Sequence, residues 1–224
     1  MGPEATVDFM ATVIAMTPAE VDQDHIHMLV DNDPTIPPRQ DAILSDGENP
    51  GPAMAAMAKR LQDAGADYLV MPCNTAHAFA AQVTAAVDIP LLSIIDATIA
   101  ACDDFAAVGI LTTEGCLRSG IYQPALEKAK KKLILPNDAE LQEFMDLTFR
   151  IKRGDKGKDV VAGMLRLAIA LQERGAQAII AGCTEIPLVL DATSLDIPLI
   201  SSTDELARHT VAYALGESAL SKRE

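Results

Sequence analysis

One stretch of this chain occurs twice. The segment "LQDAGADYLVMPC" (61–73) aligns without a gap on "LQERGAQAIIAGC" (171–183), sharing Leu, Gln, Gly, Ala and the final Cys, and each copy is followed by "DIPL", at 88–91 and 196–199. Each copy reads as the end of an amphipathic helix, a glycine stop, a short apolar strand, a cysteine, a polar turn and a further strand. The helical patterns leading in are "PAMAAMAKRLQDAG", with Pro52 near its start and Gly65 past its end, and "VVAGMLRLAIALQERG", stopped by Gly175. A unit of this kind cannot bury its apolar face alone, so its repetition predicts a duplicated architecture.

Short buried strands are expected at "HIHMLVDN" (25–32), "DYLVMP" (67–72), "IPLLSI" (89–94), "AAVGILT" (106–112), "AQAIIAG" (176–182) and "IPLIS" (197–201). Alternation of such strands with helices predicts parallel sheets joined by right-handed crossovers. The expected fold class is therefore α/β, with two pseudo-symmetric domains of mainly parallel sheet and the active site in the cleft between them. Residues 1–96 plus 202–224 form the first domain, with Cys73, and residues 97–201 the second, with Cys183.

Ligands of open α/β sheets gather at the carboxyl ends of the strands, where the repeat puts both cysteines. Two halves facing each other would bring Cys73 and Cys183 to one small molecule from opposite sides. Opposed thiols suit the removal of a proton from one face of a carbon and its return from the other. A thiolate serves as the base once its pKa falls toward neutrality, and "CNTAH" and "CTEIP" place each thiol where a helix begins, beside free N–H groups. Asn74, Thr75 and Thr184 supply donors suited to a substrate carboxylate. His77 orients its neighbouring thiol or hydrogen-bonds to backbone, and Glu185 serves the second thiol or is a first-turn acid; the sequence leaves both open.

The remaining features read as structure. Cys102 and Cys116 lie outside the repeat and are expected as packed apolar residues. "HIH" puts His25 and His27 on one face of a half-exposed strand with no third ligand in view, so no metal site is expected. The cluster Lys128, Lys130, Lys131 and Lys132 is expected in the last turn of a helix, and a net charge of -14 opposes nucleic acid as a partner. Four cysteines without CxxC pairing, no n-region and h-region at the start and no long apolar run predict a cytoplasmic protein with no membrane partner.

The motifs "MPCNTAHA" and "AGCTEIPLVL", together with "MGPEAT" and "NDPTIPPRQ", resemble the aspartate/glutamate racemase family, the cofactor-independent two-cysteine amino-acid racemases, and within it the aspartate racemase branch. The resemblance runs nearly end to end. It implies two pseudo-symmetric α/β domains, a homodimer, no pyridoxal phosphate or other cofactor, an acidic amino acid as substrate, and Cys73 and Cys183 as the two bases. Arg39 in "IPPRQ" matches the family arginine that recognises the substrate's side-chain carboxylate. A family lysine of similar role falls in "KRGDKGKD", where Lys156 and Lys158 both fit. The turn with Asn74, Thr75 and His77 matches the substrate-cradling turn, as do Thr112, Thr113, Thr184 and Glu185.

Glu185 stands where glutamate racemases of cell-wall synthesis carry a His after "GCT", and their Asp-Ser pair in the first loop is missing, so aspartate is the expected substrate ahead of glutamate. Hydantoin racemases, maleate isomerases and arylmalonate decarboxylases share the scaffold, although two retained cysteines argue against a one-cysteine decarboxylase. A catalytically inert binder of acidic metabolites is the alternative from another class. The resemblance also implies an apolar strand ending in Gly-Gly before "MGPEAT", missing from this sequence, and with it an upstream reading frame encoding about six to ten apolar residues.

Overall fold

The computed structural model describes residues 2–217; Met1 and residues 218–224, the last part of the first expected domain, lie outside them. Helices α1 (Pro3–Met16), α2 (Arg39–Leu44) and α3 (Gly51–Asp63) precede strand β1 (Leu69–Val70), helix α4 (Ala80–Thr84), strand β2 (Leu91–Leu92) and helix α5 (Ile94–Ala100). Strand β3 (Ala107–Leu111), helices α6 (Glu114–Arg118) and α7 (Gln123–Lys128), strand β4 (Lys132–Ile134) and helices α8 (Asp138–Lys152) and α9 (Lys158–Glu173) follow. Strands β5 (Ala178–Ala181) and β6 (Leu199–Ser201) and helix α10 (Ser202–Ala214) complete the described elements. All strand pairs are parallel, in a two-stranded sheet β1-β2 and a four-stranded sheet β4-β3-β5-β6.

The repeated residues perform the same local task in both copies. Gly65 and Gly175 adopt φ of 98° and 96°, left-handed values that a side chain resists. Around them Gly65 N–H donates to Gln62 O and Ala66 N–H to Leu61 O, while Gly175 N–H donates to Gln172 O and Ala176 N–H to Leu171 O. These are paired Schellman stops, formed by the Leu, Gln, Gly and Ala that the two copies share. Leu171 is fully buried, which contributes about 1.5–3 kcal/mol. In each "DIPL" the proline carbonyl accepts the entering ladder bond, from Leu69 to Pro90 and from Ile179 to Pro198. The correspondence continues past "DIPL": Ser93 caps α5 by accepting from Asp96 N–H, and Ser201 caps α10 by accepting from Asp204 N–H.

The apolar runs of β3 and β5 are buried, as expected of a parallel sheet with helices on its faces. One core joins α1, α5 and α10 through Phe9, Val13, Leu92, Ile94, Leu206 and Val211. Another lies under α8 and α9 around Phe144, Ile151, Met164 and Leu171. A smaller cluster of Met54, Met57, Leu69 and Met71 sits beneath α3.

Three expectations about local structure are corrected. Residues 25–32 form no strand, because no described segment gives them a ladder; Ile26 and Met28 still pack on the core while His25, His27, Leu29 and Val30 stay exposed. Strand β4 was not anticipated, since its lysines look like the end of a helix. Of that cluster only Lys128 is in a last helical turn. Lys130 takes a left-handed φ of 56° to close the stop, and Lys132 enters β4 beside Ala107. The helices expected to begin at the cysteines begin as 3-10 turns, Thr75–Phe79 leading into α4 and Ile186–Leu188 standing alone, and the latter carries little of a long helix's dipole.

Candidate active site

Cys73 lies just past β1 and Cys183 just past β5, in different sheets, yet both line one cavity of about 320 Å³. Arg39, Lys152, Thr75 and Glu185 line it too.

The Cys73 backbone is anchored by His77. Ile94 N–H can only donate, so His77 Nε2 accepts from it at 3.2 Å; Nδ1 therefore carries the proton and donates to Cys73 O at 2.9 Å. His77 thus ties the cysteine to the start of α5 through backbone bonds and does not line the cavity. The Cys73 sulfur is half-buried and makes no hydrogen bond among the described residues.

The second thiol sits in a different setting. Gly182 N–H donates to Leu111 O, and Thr112 Oγ1 donates to Gly182 O at 2.6 Å, pinning the strand end immediately before Cys183. A Cβ on Gly182 would lie 2.9 Å from that of Thr112, so this contact needs glycine. Cys183 Sγ donates to Glu185 Oε2 at 2.9 Å, Thr184 Oγ1 donates to the same oxygen at 3.1 Å, and Lys152 Nζ lies 3.7 Å from Oε1. Burial pushes the Cys183 thiol well above its ordinary range, and the Glu185 charge adds to the rise against the opposing effect of Lys152. The expectation of a lowered thiol pKa is reversed for this cysteine: desolvation and a carboxylate outweigh one short helical turn. Burial opposes the charge on Lys152, but Glu185 and the two thiols outweigh it, so its pKa is raised and the ammonium is retained.

Arg39, first residue of α2, is held by its own loop, with Nη1 donating to Ile36 O and Pro37 O at 3.3 and 3.1 Å. Among the described residues no carboxylate ion-pairs with it, which leaves its fork open to an anionic ligand. Thr75 and Thr113 share a hydrogen bond of 2.8 Å across the two halves of the cavity wall.

Asn74 borders the cavity but is only 2% exposed. Its Oδ1 accepts from Tyr122 Oη and its Nδ2 donates to Ser202 Oγ, so the side chain expected to cradle a carboxylate is largely engaged within the protein. Thr112 is buried behind the wall, holding Gly182. Lys156 pairs with Glu4 of α1 and Lys158 opens α9; neither lines the cavity. The lysine that does is Lys152, on the last turn of α8, which sequence reasoning missed. A signal was present, because Lys152 follows Phe144, Met145 and Thr148 on one helical face of a pattern ended by Gly154.

Cys102 and Cys116 are packed inside, and burial raises their pKa values to about 11 and about 12. No group of His, Cys, Asp and Glu suited to a metal ion occurs among the described residues, and no described helix is long and apolar enough to cross a membrane.

Parallel strands that deliver two cysteines from two sheets to one cation-bearing cavity define an α/β enzyme with a paired-thiol site. The chain belongs to the Asp/Glu/hydantoin racemase family, whose model matches residues 1–210, and it is an amino-acid racemase of that family. It is 31% identical over 220 residues to the broad specificity amino-acid racemase RacX of Bacillus subtilis, covering 96% of this chain and 95% of that protein. Among solved structures it is similar to the Picrophilus torridus aspartate racemase, with a TM-score of 0.85 and 29% identity over 96% of this chain and 90% of the other. A putative Asp/Glu racemase from Yersinia pestis superposes with a TM-score of 0.79 at 27% identity, covering 95% and 94% of the two chains.

Proposed function

We propose that this racemase inverts Cα of an acidic amino acid, aspartate ahead of glutamate, by proton transfer between Cys73 and Cys183 without a cofactor. The observation that carries the reading is the convergence of both thiols, Arg39 and Lys152 on one cavity. A dicarboxylate calls for two cationic contacts, and among the described residues Arg39 and Lys152 are the cationic side chains that line the cavity. In one direction the Cys73 thiolate takes the Cα proton, and the C–H electron pair passes into the α-carboxylate. The Cys183 S–H bond then breaks as its proton is delivered to the opposite face, leaving Cys73 a thiol and Cys183 a thiolate. The reverse direction begins with Cys183 ionised, its proton passed first to Glu185, and Lys152 offsets the negative charge gathered there. Arg39 grips the side-chain carboxylate bidentately.

Two further expectations belong to this reading: the division into residues 1–96 with 202–224 and 97–201, and a homodimer. Packing of α10 on α1 and α5 supports the first.

A broader substrate range is the second reading. Phe149, 44% exposed, lines the same cavity one turn before Lys152 and offers an apolar surface to a side chain without a carboxylate. The Bacillus subtilis relative, a broad specificity amino-acid racemase, supports it. One experiment tests both: Cα deuterium incorporation and enantiomer composition for L-aspartate, L-glutamate and a panel of neutral amino acids in heavy water. Exchange and inversion confined to the acidic substrates support the first reading, comparable turnover of neutral ones the second. Binding of aspartate without exchange would make the chain a binder.

A further inference from the structure

A single buried run of hydrogen bonds joins the residue after Cys73 to the strand that carries Cys183. Tyr122 Oη donates to Asn74 Oδ1 at 2.6 Å, Asn74 Nδ2 donates to Ser202 Oγ at 2.9 Å, and Ser202 Oγ donates to Ala181 O at 2.8 Å. Its polarity is forced from one end. The Ala181 carbonyl can only accept, so the one Ser202 proton goes there and Ser202 must accept from an N–H; the Asn74 amide nitrogen therefore faces Ser202, and its oxygen faces the Tyr122 hydroxyl. Tyr122, Asn74, Ser202 and Ala181 are at most 2% exposed. With its members this deeply buried, a vacancy in the run would cost the desolvation of a buried polar group. Its members come from four separate places: the start of α7, the turn after β1, the first residue of α10 and the last residue of β5.

We propose that Tyr122 and Ser202 are positioning residues that hold the two thiols in register with each other through Asn74 and Ala181. This rests on the two-thiol reading of the site. Asn74 is bonded covalently to Cys73, and Ala181 lies two residues before Cys183, so the run is a short, fully buried polar connection between the two thiols. Inversion requires the acceptor and donor thiols to be aligned on opposite faces of one carbon at the same moment, whereas abstraction followed by return to the same face needs only one of them. Loosening the run therefore penalises inversion more than exchange.

The test is Tyr122→Phe, which keeps the ring and deletes the terminal donor, with Ser202→Ala as a second variant should the first fold poorly. Each is incubated in heavy water with L-aspartate, or with the acidic amino acid that the wild-type chain turns over fastest. Deuterium at Cα of the remaining enantiomer is compared with deuterium in the inverted one. The expected result is a rise of about tenfold in the ratio of non-inverting exchange to inversion, with a cooperative thermal transition retained. A merely structural role would lower the amount of active protein and leave this ratio unchanged; an unchanged ratio in the folded variants overturns the proposal. Should the wild-type chain neither exchange nor invert any amino acid of the panel, the reading of the site itself fails, and the inference with it.

Discussion

The Cys183 sulfur lies 2.9 Å from Glu185 Oε2, while the Cys73 sulfur has no hydrogen-bond partner among the described residues. The two thiols of the pair are therefore unequal before any substrate arrives: one is a buried proton donor held by a carboxylate, the other is half-buried and unrestrained.

Glu185→Gln should make Cys183 easier to ionise, since removing a negative neighbour favours the thiolate and leaves Lys152 to attract it. The rise in thiolate absorbance near 240 nm should then begin at lower pH than in the wild type, read against the same variant lacking Cys183. An unchanged titration would mean that burial alone sets this thiol.

Cys73→Ala and Cys183→Ala should each reduce racemisation by at least about a thousandfold, within the range for loss of a general acid or base. One-face exchange should survive in at least one of them. Racemisation at the wild-type rate in either variant removes that cysteine from the reaction.

Arg39→Lys should raise the KM for the acidic substrate by about tenfold or more, because an ammonium cannot reproduce the planar fork held against Ile36 O and Pro37 O. Steady-state kinetics with KM and kcat both unaltered would exclude Arg39 from substrate recognition.

Lys152→Gln should lower kcat/KM by roughly a hundredfold, since it removes a cavity cation and leaves the Glu185 carboxylate buried without its ion-pair partner. Lys156→Ala should stay within about threefold of wild type, its partner Glu4 being 57% exposed. The reverse ranking of these two variants would restore Lys156 as the substrate lysine.

Alkaline stability should fall from about pH 9 upward. Burial raises the Cys102 and Cys116 thiols to about 11 and about 12, so the folded chain keeps protons that the unfolded chain releases near pH 9. That stability is fully present below the unfolded value and is lost as pH rises toward the folded one. Cys102→Ala should flatten the decline in Tm between pH 8 and pH 10.5; a slope identical to wild type would show that other groups set it.

What could be read from the sequence was local. The Leu, Gln, Gly and Ala of the repeat announce a helix stop because that stop is built from neighbours in the chain, and both stops form as expected. The cysteines at strand ends were legible for the same reason. What failed depends on distant partners. The segment 25–32 keeps its alternation, yet a strand exists only where another lies beside it. The bonds of Asn74 to Tyr122 and Ser202, 48 and 128 residues away, could not be read from its own neighbourhood either. Lys152 escaped notice because the direction in which the end of α8 points is settled by packing on the second core.

Cys73 stands eight residues beyond Gly65, and Cys183 eight beyond Gly175. Both thiols are thus carried on arms of equal contour length from the same kind of pivot. Adding or deleting one residue in either arm would shift its sulfur by about 3.3 Å along the strand and turn the following side chain to the opposite face. Such a change has no partial tolerance, so insertions and deletions are barred from both arms alike. Drift in this lineage must proceed by substitution between pivot and sulfur, and length variation is left to the surface connections elsewhere.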